Sequence, residues 1–218
     1  MLDQAWLREF EALKPSSPNR AFPIVIYINA HAKVRIALEL AFTGCMSEAR
    51  SILRDAVEFA AHAHHMLKNP DIQKVWLNKN SDEDAFKKEF WYSKETGLFA
   101  GLDELYDVWC QLSEIGSHAN LNSICERVRM EEVDGRPEVY LSYTGLPEKP
   151  WATGIFTMLL VDFKMEETLF KDYEMRLQFD EKLLVMRAEF EIYKERLRAD
   201  VISHYKIKPP DSPLIVTK

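Results

Sequence analysis

The sequence predicts a mainly α fold: an antiparallel four- or five-helix bundle with a small β-hairpin insert near residues 124–143. Three observations carry this. Apolar residues recur at three- and four-residue steps along most of the 218 positions. Glycine is scarce, with 7 in the chain, which argues against glycine-rich phosphate loops and turn-dense β folds. Period-two alternation stands out in one segment only. A hydrophobic content of 47% suits an ordinary buried core, and the length fits one large domain or two small ones. We read a single domain over 1–206 and an extended tail, 207–218, carrying Pro209, Pro210 and Pro213.

Taken in order, Leu2, Trp6, Phe10 and Leu13 step along one face of a short docking helix, about 3–14, before Pro15 and Pro18 break it. A second helix is expected over about 22–42, stopping at Thr43-Gly44. A third is expected over about 47–68, with Ser47 as N-cap and Asn69-Pro70 as stop. The short connector makes these two an antiparallel hairpin. Residues 71–93 carry Trp76, Phe86, Phe90, Trp91 and Tyr92 at irregular intervals, consistent with short helices or an ordered loop. Leu98, Leu102, Leu105, Trp109 and Leu112 predict a fourth long helix over about 94–115. In the insert, Val128 and Met130 alternate with charged residues, Asp134-Gly135 supplies a tight turn, and Val139, Leu141 and Tyr143 alternate again.

After Pro150, Leu159, Phe163, Glu166, Phe170, Tyr173 and Leu177 form one heptad-like stripe, and Leu183, Met186, Phe190, Tyr193 and Leu197 a second. An unbroken helix of about 55 residues would reach ~80 Å. Either a turn at Gln178-Phe179-Asp180 divides it into helices of about 151–178 and 181–205, or it projects to pair with another subunit. The Asp180-Glu181 pair favours the turn.

With 28 Lys+Arg against 35 Asp+Glu, the net charge of -7 argues against a broad nucleic-acid-binding surface. Three cysteines, Cys45, Cys110 and Cys125, do not make a disulfide scaffold and read as reduced thiols in a cytoplasmic protein. The uncharged run from Ala21 to Ala32 is short for a membrane span. No phosphate-loop, dinucleotide, nucleophile-elbow or Cys-x-x-Cys motif is present, so no cofactor is expected.

Candidate residues cluster on two helices. In the third, Leu53, Val57, Ala60, His64 and Leu67 share an apolar face, which makes His64 a hydrogen-bonded core residue. Arg54, Glu58, His62 and His65 fall within about 80° of one another on the other side. That polar stripe is either a solvated surface or one wall of a cleft. In the fourth helix, Ser113 and Gly116 lie in the apolar stripe with Leu105, Trp109 and Leu112, and small residues there admit another helix backbone. His118 either caps the helix end or lines the mouth of the bundle. Glu58 with His62, and Glu114 with His118, have the i,i+4 spacing of two metal ligands, a weaker alternative because di-iron bundles use Glu-x-x-His.

Arg54 and Glu58 in one long helix, followed by Tyr106, Leu112-Ser113 and His118-Ala119, resemble the pattern of HEPN-like helical-bundle proteins, in particular uncharacterised bacterial members with an Arg-x-x-x-Glu helix and a Leu-Ser-x-x-x-x-His helix. The resemblance covers about residues 35–175. It implies a bundle that is often dimeric, with Arg54, Glu58, His62, Tyr106, Ser113 and His118 as candidates around a polar interhelical cleft that could take RNA or a nucleotide, in a stress or defence role. Active members cleave RNA with an arginine and a following histidine separated by four to six intervening residues. Here Gln111, Leu112 and Ser113 occupy the positions five to seven before His118, so the resemblance implies a binding or oligomerisation module without the ribonuclease motif. A structural protein working through its C-terminal helices, or a metal-dependent bundle enzyme, are the competing expectations.

Overall fold

Alanine-rich, small-faced helices set the architecture. The structure, a computed structural model, describes residues 8, 13–14, 18–116, 127–141, 148–176, 178–179 and 181–206. Helix α1 (Pro18–Phe42) buries Tyr27, Ala30, Val34, Ala37 and Ala41, and helix α2 (Met46–Lys68) buries Ala49, Leu53, Ala56, Val57, Ala60 and Ala63. Gly44 turns the chain between them at φ 86, a left-handed conformation that favours glycine. The amides of Gly44 and Cys45 cap the carbonyls of Ala41 and Leu40. The expected antiparallel hairpin is therefore present. It departs from expectation at both starts: α1 begins at Pro18, with Pro23 inside its second turn, and α2 begins at Met46, so Ser47 lies within the helix and Cys45 caps without a side-chain bond.

By length and composition alone, Arg20–Phe42 would suit a membrane span. In the fold Ile24, Tyr27, Ala30, Val34, Ala37 and Ala41 form its buried face, while Val25, Ile28, Ile36 and Phe42 are exposed.

After α2 a single 3-10 turn (Pro70–Ile72) leads to two short helices, α3 (Gln73–Leu77) and α4 (Glu83–Glu89), the latter capped by Asp82, whose Oδ1 accepts from the Ala85 amide at 3.0 Å. The next segment corrects the sequence reading. Residues 94–102 are not helical, and helix α5 runs only over Asp103–Gly116. Residues 91–102 instead wind into a compact turn. Ser93 Oγ accepts from the amides of Glu95 and Thr96, and the amides of Leu98 and Phe99 return to the carbonyls of Trp91 and Ser93. A Cβ on Gly97 would lie 2.1 Å from the Trp91 carbonyl oxygen, so glycine is required there. Leu98 and Phe99 are fully buried in that turn, which is why their spacing imitates a helix.

Beyond α5, strands β2 (Val128–Val133) and β3 (Arg136–Leu141) form the expected antiparallel hairpin through Asp134-Gly135, both at positive φ. Helices α6 (Glu148–Arg176) and α7 (Glu181–Tyr205) are separate, divided at a two-residue strand, β4 (Gln178–Phe179). That strand pairs with β1 (Leu13–Lys14), so the N-terminal segment is extended at 13–14 and the predicted helix 3–14 ends earlier. The rest of that helix, except a helical Arg8, lies outside the described residues, as does the 207–218 tail. The α7 helix folds back: the Arg187 guanidinium lies 4.8 Å above the Phe170 ring, and Leu197 and Ile202 pack against the buried core.

The bundle is therefore mainly α with a small β insert. A Cβ on Gly154 would meet Met46, and Asp172 bonds His64, so α6 runs parallel to α2. Ser113 bonds Arg54 and Trp109 bonds Glu58, so α5 runs antiparallel to α2.

Candidate functional site

Helix α2 has two polar faces, and each meets a different neighbour. On the core side, His64 donates from Nδ1 to Asp172 Oδ2 at 2.8 Å, and Tyr27 donates its phenol to the same oxygen at 2.8 Å. Asp172 has no solvent exposure and His64 has 8%. The expectation that His64 is a hydrogen-bonded core residue holds. A sealed carboxylate with two donors from two other helices is a staple across α1, α2 and α6.

The other face is half-buried. Arg54 donates from Nε to Ser113 Oγ at 2.9 Å, and its other nitrogens pair with Asp55 at 3.3 Å and Glu58 at 3.5 Å. Its guanidinium also sits 5.3 Å over the Trp109 ring. Ser113 donates its own hydroxyl to the Trp109 carbonyl at 2.7 Å, the back-bonding available to a helical serine toward the residue four before it. Glu58 accepts from Tyr92 at 2.8 Å and from Trp109 Nε1 at 3.3 Å, with His62 Nε2 3.9 Å away. Burial alone would raise the Glu58 carboxyl; the His62 imidazole and the Tyr92 and Trp109 donors outweigh it and bring the group down to about 2. Conversely, burial and the Glu58 charge push the Tyr92 phenol well above its ordinary range. Both groups thus hold one state near neutrality: Glu58 as an anion, Tyr92 as a donor.

Aromatic rings close the site. Tyr92 stacks on Trp109 at 4.6 Å and 13°, and Phe99 and Tyr106 flank the same indole at 5.5 and 6.2 Å. His62 is enclosed by Phe90, Phe86 and Trp76 at 5.1, 5.9 and 6.3 Å. His65 donates to the Glu89 carbonyl at 3.1 Å, and burial pushes it below the usual imidazole range. The polar stripe of α2 is therefore no open solvated surface: α4 and the 91–102 turn lie over it. Along that cover runs an open cavity of about 730 Å³, lined by Lys79, Asn80, Glu83, Phe86, Lys87, Phe90, Trp91 and Tyr92. Tyr92 belongs to both, with its ring in the cavity wall and its hydroxyl on Glu58.

Of the predicted candidates, Arg54, Glu58 and Ser113 converge. His62 sits one turn along from Glu58, and Tyr106 reaches the site only through ring contacts with Phe99 and Trp109. His118 lies outside the described residues. For the metal alternative, Glu58 and His62 are neighbours while Glu114 is exposed on α5. Among the described residues, no three His, Cys, Asp or Glu side chains come together in a way that could hold a metal ion. The donors Tyr92 and Trp109 were not foreseen. Trp109 and Ser113 at i,i+4 gave a signal for one of them, but Tyr92 reaches Glu58 only because the 91–102 turn brings it there.

Together the fold and site define a helical bundle in which a half-buried arginine-carboxylate network joins two helices beside an aromatic cavity. Compared with known proteins, the chain matches no family model, and no curated protein or solved structure is significantly similar to it.

Proposed function

We propose that this chain is a HEPN-like binding module of the cytoplasm, without ribonuclease activity, that acts as a homodimer and takes single-stranded RNA or a nucleotide in the cavity beside the α2–α5 network. The observation that carries the reading is the convergence of Arg54 and Glu58 with Ser113. These are three of the residues on which the resemblance to HEPN-like proteins rests, and they meet across two helices. The cavity adds the chemistry of a base platform. Trp91 is 58% exposed in its wall, Phe86 and Phe90 are stacked at 4.9 Å, and Lys79, over the Phe86 ring at 5.1 Å, and Lys87, paired with Glu83 at 2.7 Å, also line it. Aromatic faces stack bases regardless of sequence, and local cations meet the phosphates that the acidic surface as a whole repels.

The arginine network suits positioning more than chemistry. Arg54 is already paired with Ser113, Asp55 and Glu58, and Glu58 is fixed as an anion, so neither is poised to exchange a proton near neutrality. The test is to incubate the purified chain with labelled single-stranded RNA, following cleavage on a denaturing gel and binding by anisotropy, with ATP as competitor. Binding without cleavage is the expected result. Cleavage that is lost in Arg54→Ala would replace the module with a nuclease, and absence of both binding and cleavage would overturn the reading.

A second reading, a partner-binding protein working through its C-terminal helices, is favoured by one observation: Leu184, Val185 and Ile192 of α7 are exposed at 55, 63 and 60%.

A further inference from the structure

The rings that line the cavity are not equally available to a ligand. Phe90 is 2% exposed and serves only as backing. Phe86 stacks on Phe90, and the Lys79 ammonium already rests over the Phe86 ring. Tyr92 has one face on Trp109 and its hydroxyl on Glu58, so it offers a ligand ring surface and no donor. Trp91 and Tyr92, 58 and 42% exposed, are therefore the faces left open to a flat aromatic group. Both follow the last turn of α4.

The charged groups lie toward the other end of that helix. Glu83 stands in the first turn of α4 and pairs with Lys87 one turn on. From Glu83 to Phe90 the chain advances about 10 Å along the helix. Lys79, by its seat over Phe86, lies against the middle of α4, and among the described residues it pairs with no carboxylate. The Glu83–Lys87 pair is exposed on both sides, and exposed pairs are held weakly, so Lys87 is free to turn to a stronger acceptor.

The charge of the lining is small. Lys79 and Lys87 stand against Glu83, whose carboxyl Lys87 holds below the usual carboxylate range. The surplus is one positive charge. A terminal phosphate carries about −1.5 to −2 near neutral pH, and two lysines supply charge-assisted hydrogen bonds to it. A further phosphate finds no cation left in the lining. Outside it, α4 and the 91–102 turn carry Asp84, Glu89 and Glu95 against Lys88 and against a Lys94 already paired with Asp107 at 3.1 Å. Phosphates that extend beyond the cavity meet a field that repels them.

We infer that the cavity takes one mononucleotide, with its base stacked on Trp91 and Tyr92 and a single phosphate held by Lys79 and Lys87, and that it discriminates against polyphosphates. The inference rests on the cavity of the proposed function and narrows its ligand: an RNA strand binds through one nucleotide and gains nothing from the next. Glu83 sets the limit, because it stands among the cations and repels whatever charge they do not neutralise.

The test is isothermal titration calorimetry of the full chain with four probes: adenosine, AMP, ATP without divalent metal, and hexa-adenylate RNA counted per nucleotide. AMP is expected to bind roughly tenfold or more tighter than adenosine, tighter than ATP, and at least as tightly as the hexamer. Lys79→Ala and Lys87→Ala are each expected to close most of the gap between AMP and adenosine, and Glu83→Gln to raise the affinity for ATP more than that for AMP. Thermal melts check that these exposed substitutions leave the fold intact. Three results each overturn the inference and leave a nucleotide cavity standing: adenosine binding as tightly as AMP, ATP or the hexamer binding more tightly than AMP, or an AMP-to-ATP ratio that Glu83→Gln does not change. Binding of none of the four probes overturns the cavity reading itself.

Discussion

Asp172 and Glu58 are both acidic groups held by donors from other elements, on opposite sides of the same helix, yet they are built differently. Asp172 is sealed, with Tyr27 and His64 as its donors and no route to solvent. Glu58 is at the rim: its donors, Tyr92 and Trp109, are aromatic, and one of them also walls an open cavity. A sealed carboxylate fixes the register of the helices around it. A rim carboxylate that orients the side chain of a cavity wall shapes a surface that can meet a ligand. The difference separates the part of α2 that holds the bundle together from the part that can work.

The largest expected effect is on the sealed side. Asp172→Ala strands the Tyr27 hydroxyl and His64 in the core, and we expect a loss of about 3–5 kcal/mol, seen in thermal melts followed by circular dichroism. A loss as small as that of a surface substitution would break the comparison.

Glu58 comes next and has a pH signature. Its carboxyl sits at about 2 in the fold against an ordinary 4.5. A depressed carboxylate contributes stability that is complete above about pH 4.5 and disappears as pH falls through about 2, on the order of 3 kcal/mol at most. The stability difference between wild type and Glu58→Gln, measured by denaturant titration, is therefore expected to shrink as pH falls from about 4.5 to 2. A difference independent of pH would contradict the network.

Gly97→Ala tests the cover over the rim. The new methyl would collide with the Trp91 carbonyl, so about 1–3 kcal/mol is expected. Hydrogen exchange should speed up in residues 91–102 more than in α1. Trp91→Ala is expected to change stability by less than about 0.5 kcal/mol, as for a surface site, while weakening RNA binding.

How much of this was legible in the sequence follows the same division. His64 was placed in the core because it falls on the Leu53–Val57–Ala60–Leu67 stripe, and that periodicity is local. Its partner Asp172 was not, because a single aspartate near the end of a helix reads as solvated until a histidine 108 positions away is known to face it. Arg54, Glu58 and Ser113 were legible as helix-face positions. Tyr92 was hidden because its position depends on the 91–102 turn, where Leu98 and Leu102 keep helical spacing while Gly97 and Gly101 break the helix. The division of α6 from α7 was legible at residues 178–180, where Asp180-Glu181 suits a helix start.

The central claim, that the rim face of α2 supports a binding cavity while the core face only holds the fold, is tested most directly by an anisotropy titration. Short labelled single-stranded RNA is titrated with wild type, Trp91→Ala and Asp172→Asn, each below its melting transition. The account predicts that Trp91→Ala binds roughly 5- to 150-fold more weakly, one stacking contact being worth about 1–3 kcal/mol, and that folded Asp172→Asn binds as wild type does. Equal binding by wild type and Trp91→Ala, or a loss confined to Asp172→Asn, would contradict it.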